Sequence, residues 1–122
     1  MRVLITGATG FVGARVVEAL ARYPALELIG LARNAPAAAT PGVRWLQADT
    51  LQEADMQAVL REAQPALLLH AAWYVAHGKF WNAPENDDWV EASTSLAAHF
   101  FENGGRRVLG LGSCAEYAPI DH

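Results

Sequence analysis

Apolar residues fall in short runs divided by polar, proline or glycine-rich breaks, and the runs alternate between strand-like and helix-like patterns. Val3 to Thr6 is short and apolar, as expected of a strand covered on both faces. Val12, Val16, Val17 and Leu20 then recur at helical spacing and predict a helix from Val12 to Arg22 whose apolar stripe faces a sheet. Tyr23-Pro24 ends it, because the residue before a proline avoids the helical region. Leu26 to Leu31 reads as a second strand and Gly42 to Ala48 as a third, with Val43, Trp45 and Leu46 as its apolar content. Thr50-Leu51-Gln52-Glu53 has the spacing of a capping box. It predicts a helix carrying Leu51, Val59 and Leu60, closed by Gln64-Pro65. Ala66 to His70 is the fourth strand, and Trp73 to Pro84 has turn residues and aromatics without a period. A long helix is predicted from about Asp87 to Glu102, with Trp89, Leu96 and Phe100 on its buried face. Glu85, Asp87 and Asp88 sit at its positive end, and Asn103-Gly104-Gly105 stops it. Arg107 to Leu111 is the fifth strand.

Strands alternating with helices predict an α/β fold: a parallel sheet with right-handed crossovers, doubly wound, in strand order 3-2-1-4-5. A ligand is expected outside the carboxyl ends of the strands, where the order reverses beside the first strand. The stretch Thr6-Gly7-Ala8-Thr9-Gly10-Phe11-Val12-Gly13 lies at that place. Strand, glycine turn and helix in this order form a dinucleotide-binding site. Gly7 allows a tight turn, Gly10 lets a pyrophosphate approach the backbone, and Gly13 lets the helix pack close to the sheet. Thr9, Phe11 and Val12 belong to the same cofactor-binding turn. The helix start offers unpaired N–H groups and partial positive charge to phosphates.

Composition narrows this reading. The 122 residues make one domain at most, and 52% apolar residues suffice for a core. A net charge of −4 leaves no electrostatic footprint for nucleic acid. No apolar run approaches the roughly 18 residues of a membrane span. Met1-Arg2 leads straight into a short strand and glycines, which is not the pattern of a signal peptide. The single cysteine, Cys114, excludes an internal disulfide and suits a reducing cytoplasm, where we expect the protein. Ala35 to Pro41, rich in alanine and proline, reads as a loop.

Arg33 follows the second strand, where a site preferring NAD carries an acidic residue for the ribose hydroxyls. An arginine suits a 2′-phosphate instead, which its planar fork grips. NADP is therefore favoured over NAD, against the alternative of a solvated loop arginine. Asp49 follows the third strand and suits the adenine amino group, or helps to cap the next helix.

The TGxxGxxG spacing of Thr6 to Gly13 resembles the extended short-chain dehydrogenase/reductase family, which includes the NAD(P)-dependent epimerases and dehydratases of nucleotide sugars. Ala48-Asp49-Thr50-Leu51 resembles that family's adenine-side turn. Leu68-Leu69-His70-Ala71-Ala72 resembles its fourth strand, whose end runs past the nicotinamide ribose. Gly112-Ser113-Cys114-Ala115-Glu116-Tyr117 resembles the end of its fifth strand, where a catalytic serine or threonine precedes a tyrosine by four residues; Ser113 matches that place relative to Tyr117. Asn86 to Ser93, Gly104 to Val108 and the Ser113 segment look closest to the branch of CDP-abequose synthase-like reductases. The resemblance implies a Rossmann fold, a nicotinamide cofactor and a nucleotide-sugar substrate. Glu91 departs from it, since many members carry asparagine there.

The family's chemistry uses a tyrosine as general acid/base, with a lysine four residues on that lowers its pKa; an unperturbed phenol near 10 needs such a cation. Tyr23, Tyr74 and Tyr117 are followed at that distance by Glu27, Gly78 and Asp121, and Lys79 is the sole lysine. The expectation is a cofactor-binding N-terminal portion, truncated before its catalytic helix and inactive alone. The alternative is a non-catalytic dinucleotide-binding or redox-sensing module, complete at this length. In either case the open apolar edge of the fifth strand invites pairing of two copies. His70 either borders the nicotinamide or is packed and hydrogen-bonded structure. His77 and His99 have no partner at metal-ligand spacing, so no metal is expected. Cys114 reads as an inert thiol. Trp73, Tyr74, Phe80 and Trp81 either wall the nicotinamide and sugar pocket or cover the sheet end.

Overall fold

Val3, Leu4, Ile5 and Thr6 are at most 2% exposed, because the strand that carries them has neighbours on both edges and helices over both faces. In the computed structural model, which describes residues 1–34, 36–113 and 116–117, this strand is β1, Arg2–Thr6. The chain continues through α1 (Phe11–Leu20), β2 (Glu27–Ala32), β3 (Val43–Gln47), α2 (Glu53–Ala63) and β4 (Leu67–His70). A single 3₁₀ turn (Phe80–Asn82), α3 (Glu85–Glu102) and β5 (Arg107–Gly110) follow. All strand pairs are parallel and the order is β3-β2-β1-β4-β5, as predicted. The order reverses beside β1, which pairs with β2 on one edge (Leu4 with Ile29) and β4 on the other (Leu4 with Leu68).

Alternate side chains of each strand go to opposite faces, so the sheet feeds two cores. On one face Leu4, Ile29, Leu31 and Leu68 meet Met56, Val59 and Leu60 of α2 and Leu96 and Phe100 of α3. On the other, Val3, Ile5, Leu28 and Leu69 meet Val17 of α1. Gly30 accommodates the Trp45 ring, which passes 2.7 Å from where a Cβ would stand.

The helix ends depart from the sequence pattern. The capping box does not form: α2 begins only at Glu53, and its N-cap Gln52 makes no side-chain bond. Thr50 is buried, and the local donors are taken by acids instead. Asp49 Oδ1 accepts the Leu51 N–H (3.0 Å), and Asp55 Oδ2 accepts the Asp49 N–H (3.0 Å). Leu51 therefore lies outside the helix, and Met56 fills the core. Gln64 closes α2 in the left-handed region, φ 44°, ahead of Pro65. The α3 helix starts two residues ahead of the predicted Asp87, at Glu85. Val12 and Trp89, expected to pack against the sheet, do not join either core: Val12 is exposed, Trp89 half-buried. Both stand at the first turn or two of their helices, beyond the strand ends, where the apolar stripe has outrun the sheet. Ala35 and Cys114, on which a loop and a thiol were read, lie outside the described residues.

Candidate functional site

The carboxyl ends of β1, β2 and β4 open onto one cleft of about 700 Å³. The glycine turn forms its floor. Gly7 has φ +64°, a conformation that L side chains rarely adopt. A Cβ there would also come within 2.7 Å of the Ala71 carbonyl carbon and the Ala72 nitrogen. The turn therefore sits directly on the chain leaving β4. Gly13 is tighter still, since its Cβ would stand 1.9 Å from the Gly7 oxygen. The close approach at Gly13 is thus between α1 and the turn, rather than between α1 and the sheet as the sequence suggested. Gly10 differs: a Cβ would touch only the Gly7 oxygen, at 3.2 Å, and would otherwise project into open space.

Gly10 is also the N-cap of α1, with no side-chain cap and no acidic residue in the first turn. The amides that begin a helix lack intrahelical partners. Here no side chain of the helix takes their place, and Phe11, at the first position, is 95% exposed. An anion fits this end of the helix on charge, hydrogen bonding and space.

The cleft brings together most of the residues singled out in the sequence. Gly7, Thr9, Gly10, Phe11, Val12, Gly13, Arg33, Asp49, Thr50, Ala71 and Ala72 all line it. Arg33 is exposed, and its carbonyl accepts Gln47 Nε2 at 3.0 Å, which holds the loop after β2 against β3. Asp49 Oδ1 accepts the Leu51 amide, which fixes the turn ahead of α2 and does not cap the helix, whose N-cap is Gln52. Three residues stand apart from the cleft. Leu51 turns into the space between α2 and α3, with Glu53, Asp88 and Ser95. Ser113 is exposed past the end of β5, where Glu116 Oε1 accepts its backbone N–H (2.9 Å).

His70 is the third, and it takes the hydrogen-bonded alternative. Its Nδ1 shares a 2.7 Å hydrogen bond with Thr6 Oγ1, and its Nε2 shares a 2.8 Å bond with Ser93 Oγ. The Ala72 N–H donates to the same Thr6 oxygen at 3.3 Å. One ring thus ties β1, β4 and α3 together directly beneath the cleft. Burial pushes the His70 pKa below its ordinary value, so the ring is neutral at neutral pH. His99 also has partners, at Glu53 Oε1 (2.7 Å) and Glu102 Oε2 (3.0 Å). No group of three or more histidine, cysteine or acidic side chains suited to a metal occurs among the described residues.

The aromatic stretch divides. Trp73, with Val75 and His77, lines the cleft, and so does Trp89 from α3. Phe80 and Trp81 pair with each other, 4.9 Å between ring centres, and do not line it. Of the cleft residues that sequence reasoning missed, Val75, His77 and Trp89, the last has a clear reason. Its helical spacing with Leu96 and Phe100 marked it as core, and nothing in the pattern separates a core ring from a cleft ring.

A doubly wound parallel sheet with a glycine turn at its switch point is a Rossmann fold. Residues 3–122 match the family model described as the NAD dependent epimerase/dehydratase family. The chain belongs to that family. Among solved structures it is similar to the UDP-glucose-4-epimerase of Stenotrophomonas maltophila with bound NAD and formylated UDP-arabinopyranose. That match has 21% identity and a TM-score of 0.82, and covers 100% of this chain and 40% of the other. The Thermus thermophilus UDP-glucose 4-epimerase complex with NAD is 26% identical, with a TM-score of 0.73 and coverage of 88% and 36%. The Bordetella bronchiseptica enzyme WbmG in complex with NAD is 19% identical, with a TM-score of 0.74 and coverage of 90% and 36%. The chain therefore spans well under half the length of these structures. No curated protein matches it. No helix among the described residues is long and apolar enough to cross a membrane.

Proposed function

We propose that this chain is the dinucleotide-binding part of an NAD(P)-dependent enzyme that acts on a nucleotide-activated sugar. The observation that carries the reading is the cleft floor, where Gly7, Gly10 and Gly13 hold an uncapped helix start open beneath Arg33 and Asp49. Family membership supports the cofactor class, and the sugar-nucleotide epimerases of similar fold support the substrate class. In this reading the amides of the Gly10–Gly13 turn bind the pyrophosphate. Asp49 and Thr50 face the adenine, Leu51 backs that turn from the space between α2 and α3, and His70, Ala71 and Ala72 carry the chain past the nicotinamide ribose. Ser113 acts on the substrate side, as the family resemblance implies. A bound nicotinamide dinucleotide supplies hydride acceptance and return. The family resemblance assigns the acid–base step to a tyrosine–lysine pair at four-residue spacing, which none of Tyr23, Tyr74 and Tyr117 makes. Within the family, the resemblance of residues 86–93, 104–108 and 112–117 favours the CDP-abequose synthase-like branch. We further propose that two copies associate through the β5 edge, and that the protein works in the cytoplasm.

Arg33 favours NADP over NAD, although the similar structures named above hold NAD. Titration calorimetry with each cofactor tests both levels of the reading. The intact chain is expected to bind both, NADP more tightly, and Arg33→Ala to weaken NADP by roughly tenfold with little change for NAD. Equal losses overturn the phosphate role. Absence of heat with either cofactor at millimolar concentration overturns the dinucleotide site itself.

A further inference from the structure

The end of the sheet opposite the cleft carries a hollow of its own. β1, β4 and β5 begin there, laced by two backbone hydrogen bonds of 3.0 Å. The Ala66 N–H donates to the Arg2 carbonyl, and the Arg106 N–H donates to the Ala66 carbonyl. At these strand starts lies a cavity of about 330 Å³ lined by Met1, Ala66, Leu67, Arg106 and Arg107, with no acidic residue in its wall. The turn that delivers the two arginines is tightly fixed. The Gly105 N–H donates to the Phe100 carbonyl at 2.9 Å, and a Cβ on Gly105 would stand 2.3 Å from the buried Phe100 ring. The length of β4, about 13 Å for its four residues, separates this hollow from the glycine turn.

Charge at this end of the molecule is unbalanced. Its acids are already held: Glu27 by Arg2, Glu62 by Arg44 and Glu102 by His99. Arg106 and Arg107 are exposed, and their guanidinium groups have no hydrogen bond or ion pair among the described residues; the same holds for Arg22 and Arg61. Arg61 lies in the last turn of α2, where a cation complements the helix dipole. Arg106 and Arg107 belong to no helix, so that explanation does not cover them. In a chain of net charge −4, two adjacent unpaired guanidinium groups at an acid-free hollow make a local positive field that draws anions. Successive residues of an extended chain leave it on opposite sides, so two forks can close on one anion from either side. A phosphoryl group matches them, since a planar fork grips its oxygens through paired N–H donors. Ala66 and Leu67 offer apolar wall to whatever carries that group. We propose that this hollow binds the phosphoryl group of a small phosphate ester, as a second anion site separate from the dinucleotide cleft.

Amide shifts of the isotope-labelled chain, titrated with inorganic phosphate at constant ionic strength, read the site residue by residue. Saturable shifts are expected at Leu67, Arg106 and Arg107, both without NAD and with NAD in excess. Arg106→Gln/Arg107→Gln is expected to weaken phosphate at these amides by about tenfold or more, because hydrogen bonds to a charged group are lost. Arg22→Gln, at the same end of the sheet but outside the hollow, is expected to stay within about twofold of the unaltered chain. Undiminished phosphate binding in the folded double variant overturns the site, and so do shifts confined to Gly10–Gly13. Equal weakening by Arg22→Gln also overturns it, because a diffuse field would then account for the binding. Malonate bound as tightly as phosphate overturns the phosphoryl assignment. None of these outcomes bears on the dinucleotide reading, which fails when NAD leaves the Gly10–Gly13 amides unmoved.

Discussion

Gly10 and Gly13 stand one helical turn apart and respond differently to a methyl group. At Gly13 the new carbon would lie 1.9 Å from a backbone oxygen, so α1 must leave the turn. Gly13→Ala is expected to cost about 3 kcal/mol or more, as overpacking against a fixed backbone does. At Gly10 the nearest atom is 3.2 Å away and the rest of the space is open. Gly10→Ala is expected to cost only about 1 kcal/mol, mostly as a poorer N-cap, while its methyl group stands where a pyrophosphate must approach. Thermal melts with NAD titration separate the two: Gly10→Ala folded with binding lost, Gly13→Ala destabilised before any ligand is added. Similar melting temperatures for the two variants contradict this division. The same scale shows what a sequence makes legible. Glycine spacing located the turn, but which backbone each glycine meets depends on how the chain leaving β4 returns beneath it. Val12 and Trp89 were misplaced for a related reason. Periodicity reports that a face is apolar and is silent on whether sheet or ligand cleft lies opposite.

Among the elements, α2 and α3 are joined by a titratable seam. Glu53 holds the His99 pKa above its ordinary 6.5, helped by Glu102, and His99 holds Glu53 below its ordinary 4.5. The histidine's contribution is fully present below 6.5 and is lost as pH rises through its raised value; the carboxylate's is present above 4.5 and is lost as pH falls through its lowered value. The seam therefore holds best between those two ordinary values. His70 acts in the opposite sense. Burial lowers its pKa, so the unfolded chain takes up a proton first and stability falls as pH drops below 6.5. As pH falls through the raised His99 value to 6.5 the unaltered chain gains the seam and His99→Gln does not, so the variant's melting temperature is expected to drop relative to it over that range, and the gap to close again below 4.5. A parallel pair of curves overturns the linkage. The seam was invisible in sequence, because Glu53 and His99 are 46 positions apart. The strands were legible because apolar runs bounded by glycine, proline or polar turns leave few other choices. The start of α2 was not, because the Gln52 amide that Thr50 would cap is taken by the Asp49 carbonyl and Thr50 itself is buried.

At the largest scale, among the described residues β5 is an edge strand, paired with β4 alone, and Leu109 and Leu111 on and beyond it are 53% and 49% exposed. A row of open amides beside apolar side chains is a template for another strand. Sedimentation velocity is expected to detect association that rises with concentration, and Leu109→Lys to shift it toward the monomer, as a charge on an edge does. Unchanged sedimentation on substitution removes β5 from the contact. The fold's central strand has a different difficulty. Thr6 and His70, bonded in the finished protein, are separated by 64 positions. A ribosome delivers β1 first, then β2 and β3, and must make all of α2 before β4 can fill the other side. Until then β1, buried from Val3 to Thr6 in the finished protein, has one flank bare. The nascent chain must be sheltered through that interval, so a pause in translation ahead of Leu67 would leave it more prone to misassembly than the same pause after Gly110.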